Sequence, residues 1–187
     1  DSIALQTYAR IEVCLVCVHG EEIPGLGELC GRYPLHRINL GEPLPRSRAA
    51  NTALEAAHGR YLLFLDDDDL IDPDHIAALT GFLEQGEHRI AYSGVRCLYE
   101  GGTEEGQADF NKEFDPLLLL AGNYIPIHAV LFRRDFVEQG CRFDEGLDLY
   151  EDWDYWIQLS QLARFHHLDR ITATYRNFPE FIDQITT

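Results

Sequence analysis

Apolar and polar positions fall in short blocks along this chain, and the blocks predict strands and helices in succession. Asp1 to Arg10 reads as the end of a helix, and the almost wholly apolar Ile11 to Val18 as a buried strand. Glu21 to Arg32 predicts a loop with a short helix, and His36 to Leu40 a strand. Pro45 opens a helical pattern in which Ala49, Ala53, Leu54 and Ala57 share a face, with Gly59 as its stop. Tyr61 to Leu65 is an unbroken apolar run, the pattern of a strand covered on both faces. Asp72-Pro73 offers an N-cap and a first-turn proline to a helix that turns Ile76, Leu79 and Leu83 inward and ends near Gly86. Arg89 to Tyr99 predicts one or two strands, and the polar, Gly-rich Gly101 to Asp109 a mobile loop. Phe114 to Leu120 then predicts a short helix, Ile127 to Phe132 a strand and Asp135 to Gln139 a helical turn. Leu149 to Ala163 predicts a helix, with short strands at Phe165 to Leu168 and Ile171 to Tyr175. Alternation of strands and helices points to an α/β fold with a mainly parallel sheet, and no repeat or long linker divides the 187 residues.

One stretch breaks the pattern. Asp66-Asp67-Asp68-Asp69 follows the apolar run with no spacer. Packing cannot favour it, because adjacent like charges repel and each is costly to bury unpaired. A hard divalent cation would resolve the conflict, since such ions prefer carboxylate oxygen. In open α/β sheets, ligands gather beyond the carboxyl ends of the strands, where this block would lie. A solvated acidic loop is the plain alternative. An EF-hand loop is excluded: counted from Asp66, its required Gly and Glu fall on Ile71 and Ala77. A phosphatase with an aspartate nucleophile also begins at such a position and stays a competitor.

Charge changes the picture further. With 32 acids against 15 Lys and Arg, the net charge is −17, which argues against nucleic acid or an anionic membrane surface as partner. A phosphate-bearing ligand would be repelled as well, unless a cation held by the aspartates offset the field. Cys14, Cys17, Cys30, Cys97 and Cys141 are odd in number and scattered. Cys14 and Cys17 have knuckle spacing but sit inside an apolar run with no second pair, so buried thiols in a reducing, cytoplasmic compartment are expected. No apolar stretch approaches the roughly 18 residues of a membrane span. The lack of Met and the abrupt opening on Asp1 suggest a piece of a longer protein.

Glu151-Asp152-Trp153-Asp154-Tyr155-Trp156 is a second acidic centre. Trp153, Trp156, Ile157 and Ser160 recur at helical spacing, while Glu151 and Asp154 share another face. Acids in a first turn suit the helix dipole, which is a purely structural reason for them. Taken with the first centre, they match the needs of displacement at a sugar carbon. A metal neutralises the departing diphosphate there, and a carboxylate takes the proton of the incoming hydroxyl. His128 reads as a strand histidine with a backbone partner, or as one facing an acceptor. His166 and His167 point to opposite sides of a strand and make a poor metal pair. Asp109 and Asn111 are placed to order over a ligand.

The chain resembles the family 2 glycosyltransferases of the GT-A fold. The likeness lies in Asn51-Thr52-Ala53-Leu54, in Ala57-His58-Gly59-Arg60-Tyr61-Leu62 and in Phe64-Leu65-Asp66-Asp67-Asp68-Asp69, the last similar to the family's DxD segment. It continues in Gly140-Cys141-Arg142-Phe143-Asp144-Glu145, Glu151-Asp152-Trp153-Asp154 and Tyr175-Arg176. The resemblance implies one GT-A domain over 1–187, with a nucleotide-binding half (1–100) and an acceptor-side half (101–187). It implies that Asp66 contacts the nucleotide, that Asp68 is the principal ligand of Mn²⁺ or Mg²⁺, and that Asp67 or Asp69 assists. Asp152 aligns with the general base of an inverting transfer from a nucleotide-diphosphate sugar to a hydroxyl acceptor, with Glu151 beside it.

Three features depart from the family pattern. The central first strand is not found ahead of Asp1. An acid usual after the second strand is replaced by Cys17-Val18-His19-Gly20. The Ala-Arg-Asn signature reads Ala49-Ala50-Asn51, with Arg48 available to substitute. A non-catalytic binding or scaffold domain of the same fold is therefore the alternative.

Overall fold

The computed structural model describes residues 2–21, 25–99 and 109–177. In chain order the strands are β1 (Val13–Val16), β2 (Leu29–Cys30), β3 (Tyr33–Ile38), β4 (Tyr61–Leu62), β5 (Leu70–Ile71), β6 (Ile90–Tyr99), β7 (Val130–Arg133) and β8 (Phe165–Asn177). The helices are α1 (Arg46–Ala56), α2 (His75–Gly86), α3 (Pro116–Ala121), α4 (Asp135–Glu138) and α5 (Glu151–Leu162), with a 3-10 turn at Ile127–Ala129.

The strands form two sheets. A small one has the order β1-β3-β2, and a larger one the order β4-β7-β6-β8-β5. Parallel pairing joins β1 to β3 and β6 to β8, whereas β2–β3, β4–β7, β5–β8 and β6–β7 are antiparallel. The α/β expectation holds, but parallel pairs are not the majority. β2, β5 and β7 each run against the strands they pair with, which makes antiparallel pairs the more numerous. The two strands expected near the C-terminus are one long β8, which follows β6 with register shifts around Gly94.

The main core lies on the larger sheet and draws on both halves of the sequence. Leu54, Leu62, Ile90, Phe132, Phe136, Tyr155, Trp156 and Phe165 belong to one buried cluster. Aromatic side chains dominate it because each buries a large apolar area. Phe132 stands edge-on to Tyr155 and Trp156, and Phe143 stacks on Tyr155 at 4.3 Å. The indole of Trp156 donates to the carbonyl of Ile125, whereas the buried hydroxyl of Tyr155 finds no partner among the described residues.

Between the two sheets runs a groove of about 530 Å³. Cys14 and Leu15 of β1 form one wall, Leu63 and Phe64 the other, and Ala57 and Ile76 close its faces. Only Tyr61 and Leu62 are strand, and Leu63 to Leu65, which line this groove, are half-buried rather than covered on both faces. Side chains and short backbone contacts span the ends of the groove. Glu12 accepts from the amides of His58 and Gly59, both at 2.6 Å. Buried Gln6 donates to Asp72 O, Thr7 N donates to Pro73 O, and the Tyr33 hydroxyl returns to the carbonyls of Gln6 and Tyr8.

Other expectations shift. Residues 2–5 form a turn, not a helix end, and the described part of Glu21 to Arg32 carries β2 in place of a helix. The N-cap of α2 is Asp74, so Asp72-Pro73 precedes the helix as a turn. Residues 101–108 of the expected mobile loop lie outside the described residues. Asn111 is held by Asp169 and His167 of β8.

Candidate active site

The four aspartates do not share one environment. They form a tight turn after β4, closed by the amide of Asp69 donating to Asp66 O at 3.3 Å. Asp67 is exposed at the tip, Asp66 and Asp68 are partly exposed, and Asp69 is buried. Asp69 Oδ1 accepts from the amide of Arg176 at 3.1 Å. Asp69 Oδ2 stands 2.8 Å from Nδ1 of buried His128, off the line of a well-formed hydrogen bond. The guanidinium of Arg176 donates to Asp68 O, and Tyr175 lies parallel to His128 at 6.5 Å. Strand β8 and the 3-10 turn thus clamp the acid turn from behind. The partner of His128 is a side chain rather than the expected backbone group.

One carboxylate oxygen each from Asp66, Asp68 and Asp69 lie within 4.8 Å of one another. An all-oxygen set of this kind suits Mg²⁺ or Mn²⁺. Burial, and after it the charges of Asp69, Asp66 and Asp67, raise the Asp68 carboxyl above its ordinary pKa. Burial is the larger cause and the neighbouring acids the smaller, and a bound cation would oppose both.

The second acidic centre opens α5, whose first turn holds Glu151, Asp152 and Asp154. Tyr150 precedes it in a left-handed conformation, with φ of 65°, and stacks edge-on against Trp153. Non-glycine residues seldom adopt that conformation, and it fixes the angle at which α5 begins. Asp152 Oδ1 accepts from the Trp153 amide at 2.7 Å and Oδ2 from Asn123 Nδ2 at 2.8 Å. Burial raises its carboxyl above the ordinary value, against the lowering by those two hydrogen bonds. A carboxylate so placed is oriented and readier to hold a proton.

Arg46, the first residue of α1, joins the two centres. Its Nη2 donates to Asp66 Oδ2 and its Nε to Glu151 Oε1, each at 2.9 Å. The acid turn and the start of α5 therefore meet across a single guanidinium. The other residues expected here point elsewhere. Arg48 pairs with Glu42 at 3.1 Å. Asn51 is buried, with its side chain on the backbone of Phe143 and on Glu145. It pins α1 to the loop before α5.

Sequence reasoning missed Arg46, Asn123 and His128's partnership with Asp69. One signal was available for Arg46. A cation in the first turn of a helix opposes the dipole, so a reason for it was needed elsewhere.

A family model described as Glycosyl transferase family 2 matches residues 1–141. The uncharacterized protein y4gI of Sinorhizobium fredii is 30% identical over 188 residues, which cover 96% of this chain and 20% of that protein. The uncharacterized glycosyltransferase YwdF of Bacillus subtilis is 23% identical over 94% of this chain and 66% of its own length. Chondroitin synthase of Pasteurella multocida is 26% identical over 91% of the chain and 18% of its length. The chain thus spans from about a fifth to two thirds of these relatives. Among solved structures, Staphylococcus aureus TarS 1–349 in complex with UDP superposes with a TM-score of 0.70 at 19% identity, over 98% of this chain and 57% of that one. Its complex with UDP-GlcNAc gives 0.72 at 17% identity, over 94% and 53%. The shared architecture is the GT-A fold. Matched over residues 1–141 of its 187, the chain belongs to glycosyl transferase family 2, a family of transferase enzymes.

Proposed function

We propose that this chain is the catalytic domain of a metal-dependent, inverting glycosyltransferase, which moves a sugar from a nucleotide-diphosphate sugar to a hydroxyl on a glycan, lipid or polysaccharide acceptor. The observation that carries the reading is the meeting of the two acidic centres at Arg46, with 2.9 Å contacts to Asp66 and Glu151. Asp66 and Asp68, assisted by Asp69, hold Mn²⁺ or Mg²⁺, and Asp66 and Asp67 face the nucleotide. A bound divalent ion supplies charge neutralisation for the departing diphosphate. Asp152, held by Asn123 and the Trp153 amide, takes the proton of the acceptor hydroxyl as that oxygen attacks the anomeric carbon. Glu151 keeps Arg46 in the cleft. A nucleotide-sugar donor also accords with the UDP and UDP-GlcNAc complexes of the similarly folded TarS.

The domain divides into a donor half (1–100) and an acceptor half (101–187), within a longer protein. Cys14, Cys17, Cys30 and Cys141 are free thiols among the described residues, where no helix is long and apolar enough to cross a membrane. A reducing, cytoplasmic setting suits that thiol content. A non-catalytic domain of the same fold is the second reading, favoured by Cys17-Val18-His19-Gly20, where the family pattern has an acid.

The two readings separate in a melting experiment. Mn²⁺ together with UDP, GDP, CDP or ADP is expected to raise the melting temperature by more than the sum of either added alone. No joint effect with any of the four would favour the non-catalytic module.

A further inference from the structure

The donor site as it stands already contains a cation. Arg46 is engaged through two different edges of its guanidinium, Nη2 on Asp66 and Nε on Glu151. The two contacts are unequal. The Glu151 side chain is 11% exposed and that of Asp66 is 36% exposed, so the Asp66 contact is the more solvated and the more easily given up. Glu151 is therefore the pivot and Asp66 the releasable partner. Asp66 is also one of the three carboxylates whose oxygens converge within 4.8 Å, so a divalent ion and Arg46 compete for the same carboxylate. The first turn of α1 contains no acid, and no side chain caps it. A guanidinium freed from Asp66 thus stands beside unoccupied amide donors, at the helix end that favours anions.

We propose that Arg46 is the resident counter-cation of the donor site. Its guanidinium holds Asp66 until a divalent ion takes that carboxylate, then turns on Glu151 to bind the diphosphate that arrives with the ion. Metal and nucleotide binding are thereby coupled: the ion alone must displace Arg46 from Asp66, whereas ion and diphosphate together give it a new partner. This inference rests on the proposed donor chemistry, and its test separates the two.

Wild type, Arg46→Gln and Arg46→Lys would be compared as the full 187-residue chain. Free Mn²⁺ would be followed by electron paramagnetic resonance, and UDP, GDP, CDP and ADP by calorimetry with and without Mn²⁺. Arg46 is well exposed at a helix end, and an unchanged far-ultraviolet spectrum would verify the fold of each variant. Arg46→Gln is expected to bind Mn²⁺ alone about twofold to fivefold more tightly than wild type, the size of a lost exposed ion-pair competitor. It should bind the preferred nucleotide with Mn²⁺ at least about tenfold more weakly. Arg46→Lys, charged but without the two-edged fork, should lie between.

Equal or weaker Mn²⁺ binding by Arg46→Gln would overturn the competition. Tighter Mn²⁺ binding with unchanged nucleotide affinity would overturn the hand-over to the diphosphate. Binding of neither Mn²⁺ nor any Mn²⁺–nucleotide pair by wild type would overturn the donor chemistry itself.

Discussion

Asp152 shows how much a single side chain's surroundings decide. Two hydrogen bonds, from Asn123 and the Trp153 amide, fix where its oxygens point, while burial lifts its pKa. Asn at this position keeps an oxygen for one donor but cannot take a proton. Asp152→Asn is therefore expected to leave Mn²⁺-dependent nucleotide binding intact by calorimetry and to slow sugar transfer by about two orders of magnitude or more. Unchanged transfer would move the base elsewhere. Asp66, Asp68 and Asp152 were legible in the sequence because each offends a packing rule: charge beside charge, or acid beside tryptophan. Arg46 was not, since its role depends on two acids far along the chain that only the fold brings near. Asp69 was legible as an acid but not as a buried one, because His128 and Arg176 reach it through non-local contacts.

Among the elements, α2 is held to the large sheet by a buried polar chain rather than by apolar packing alone. His75 Nδ1 lies 2.6 Å from Thr172 Oγ1, which donates to Ser93 Oγ at 2.8 Å, so α2, β8 and β6 are linked in one line. Burial, and after it the neighbouring His128, lower the His75 imidazole from 6.5 to about 4. Between those values the unfolded chain binds more protons than the folded one, so stability is full above pH 6.5 and declines as the pH falls towards 4. Relative to His75→Asn, the wild type should lose about 3 kcal/mol of unfolding free energy between pH 7 and pH 4. Denaturant titrations at both pH values would measure it, and parallel curves for the two proteins would contradict it.

Helices were the easiest elements to read. α1, α2 and α5 follow from apolar spacing that survives any tertiary context. Strands fared worse. β5 hides inside the acidic stretch, and of the apolar run Tyr61 to Leu65 only the first two residues pair, with β7. Pairing direction had no local signature at all, so the mixed sheet was expected to hold more parallel pairs than it does.

At the scale of the whole molecule, the groove divides stability unevenly. β6 is long, central and mostly buried and pairs with β8 along its length, whereas β1 and β3 belong to a small sheet tied to the rest by Gln6, Glu12, a few backbone contacts and the packing of α1 on β1. Hydrogen exchange should therefore release the amides of β1 and β3 well before those of β6 and β8, as a separate opening unit. Uniform protection across both sheets would show that the molecule opens as one.

The walls of that groove also carry a physical cost. β1 is an edge strand among the described residues and lines the groove with Leu63 to Leu65, and such edges are adhesive towards any extended peptide. A charge of −17 keeps copies apart in dilute buffer, but that repulsion is screened within about 10 Å at 0.1 M salt. Ionic strength therefore sets the solubility of the isolated domain: salt, which usually loosens charged assemblies, would here promote clumping.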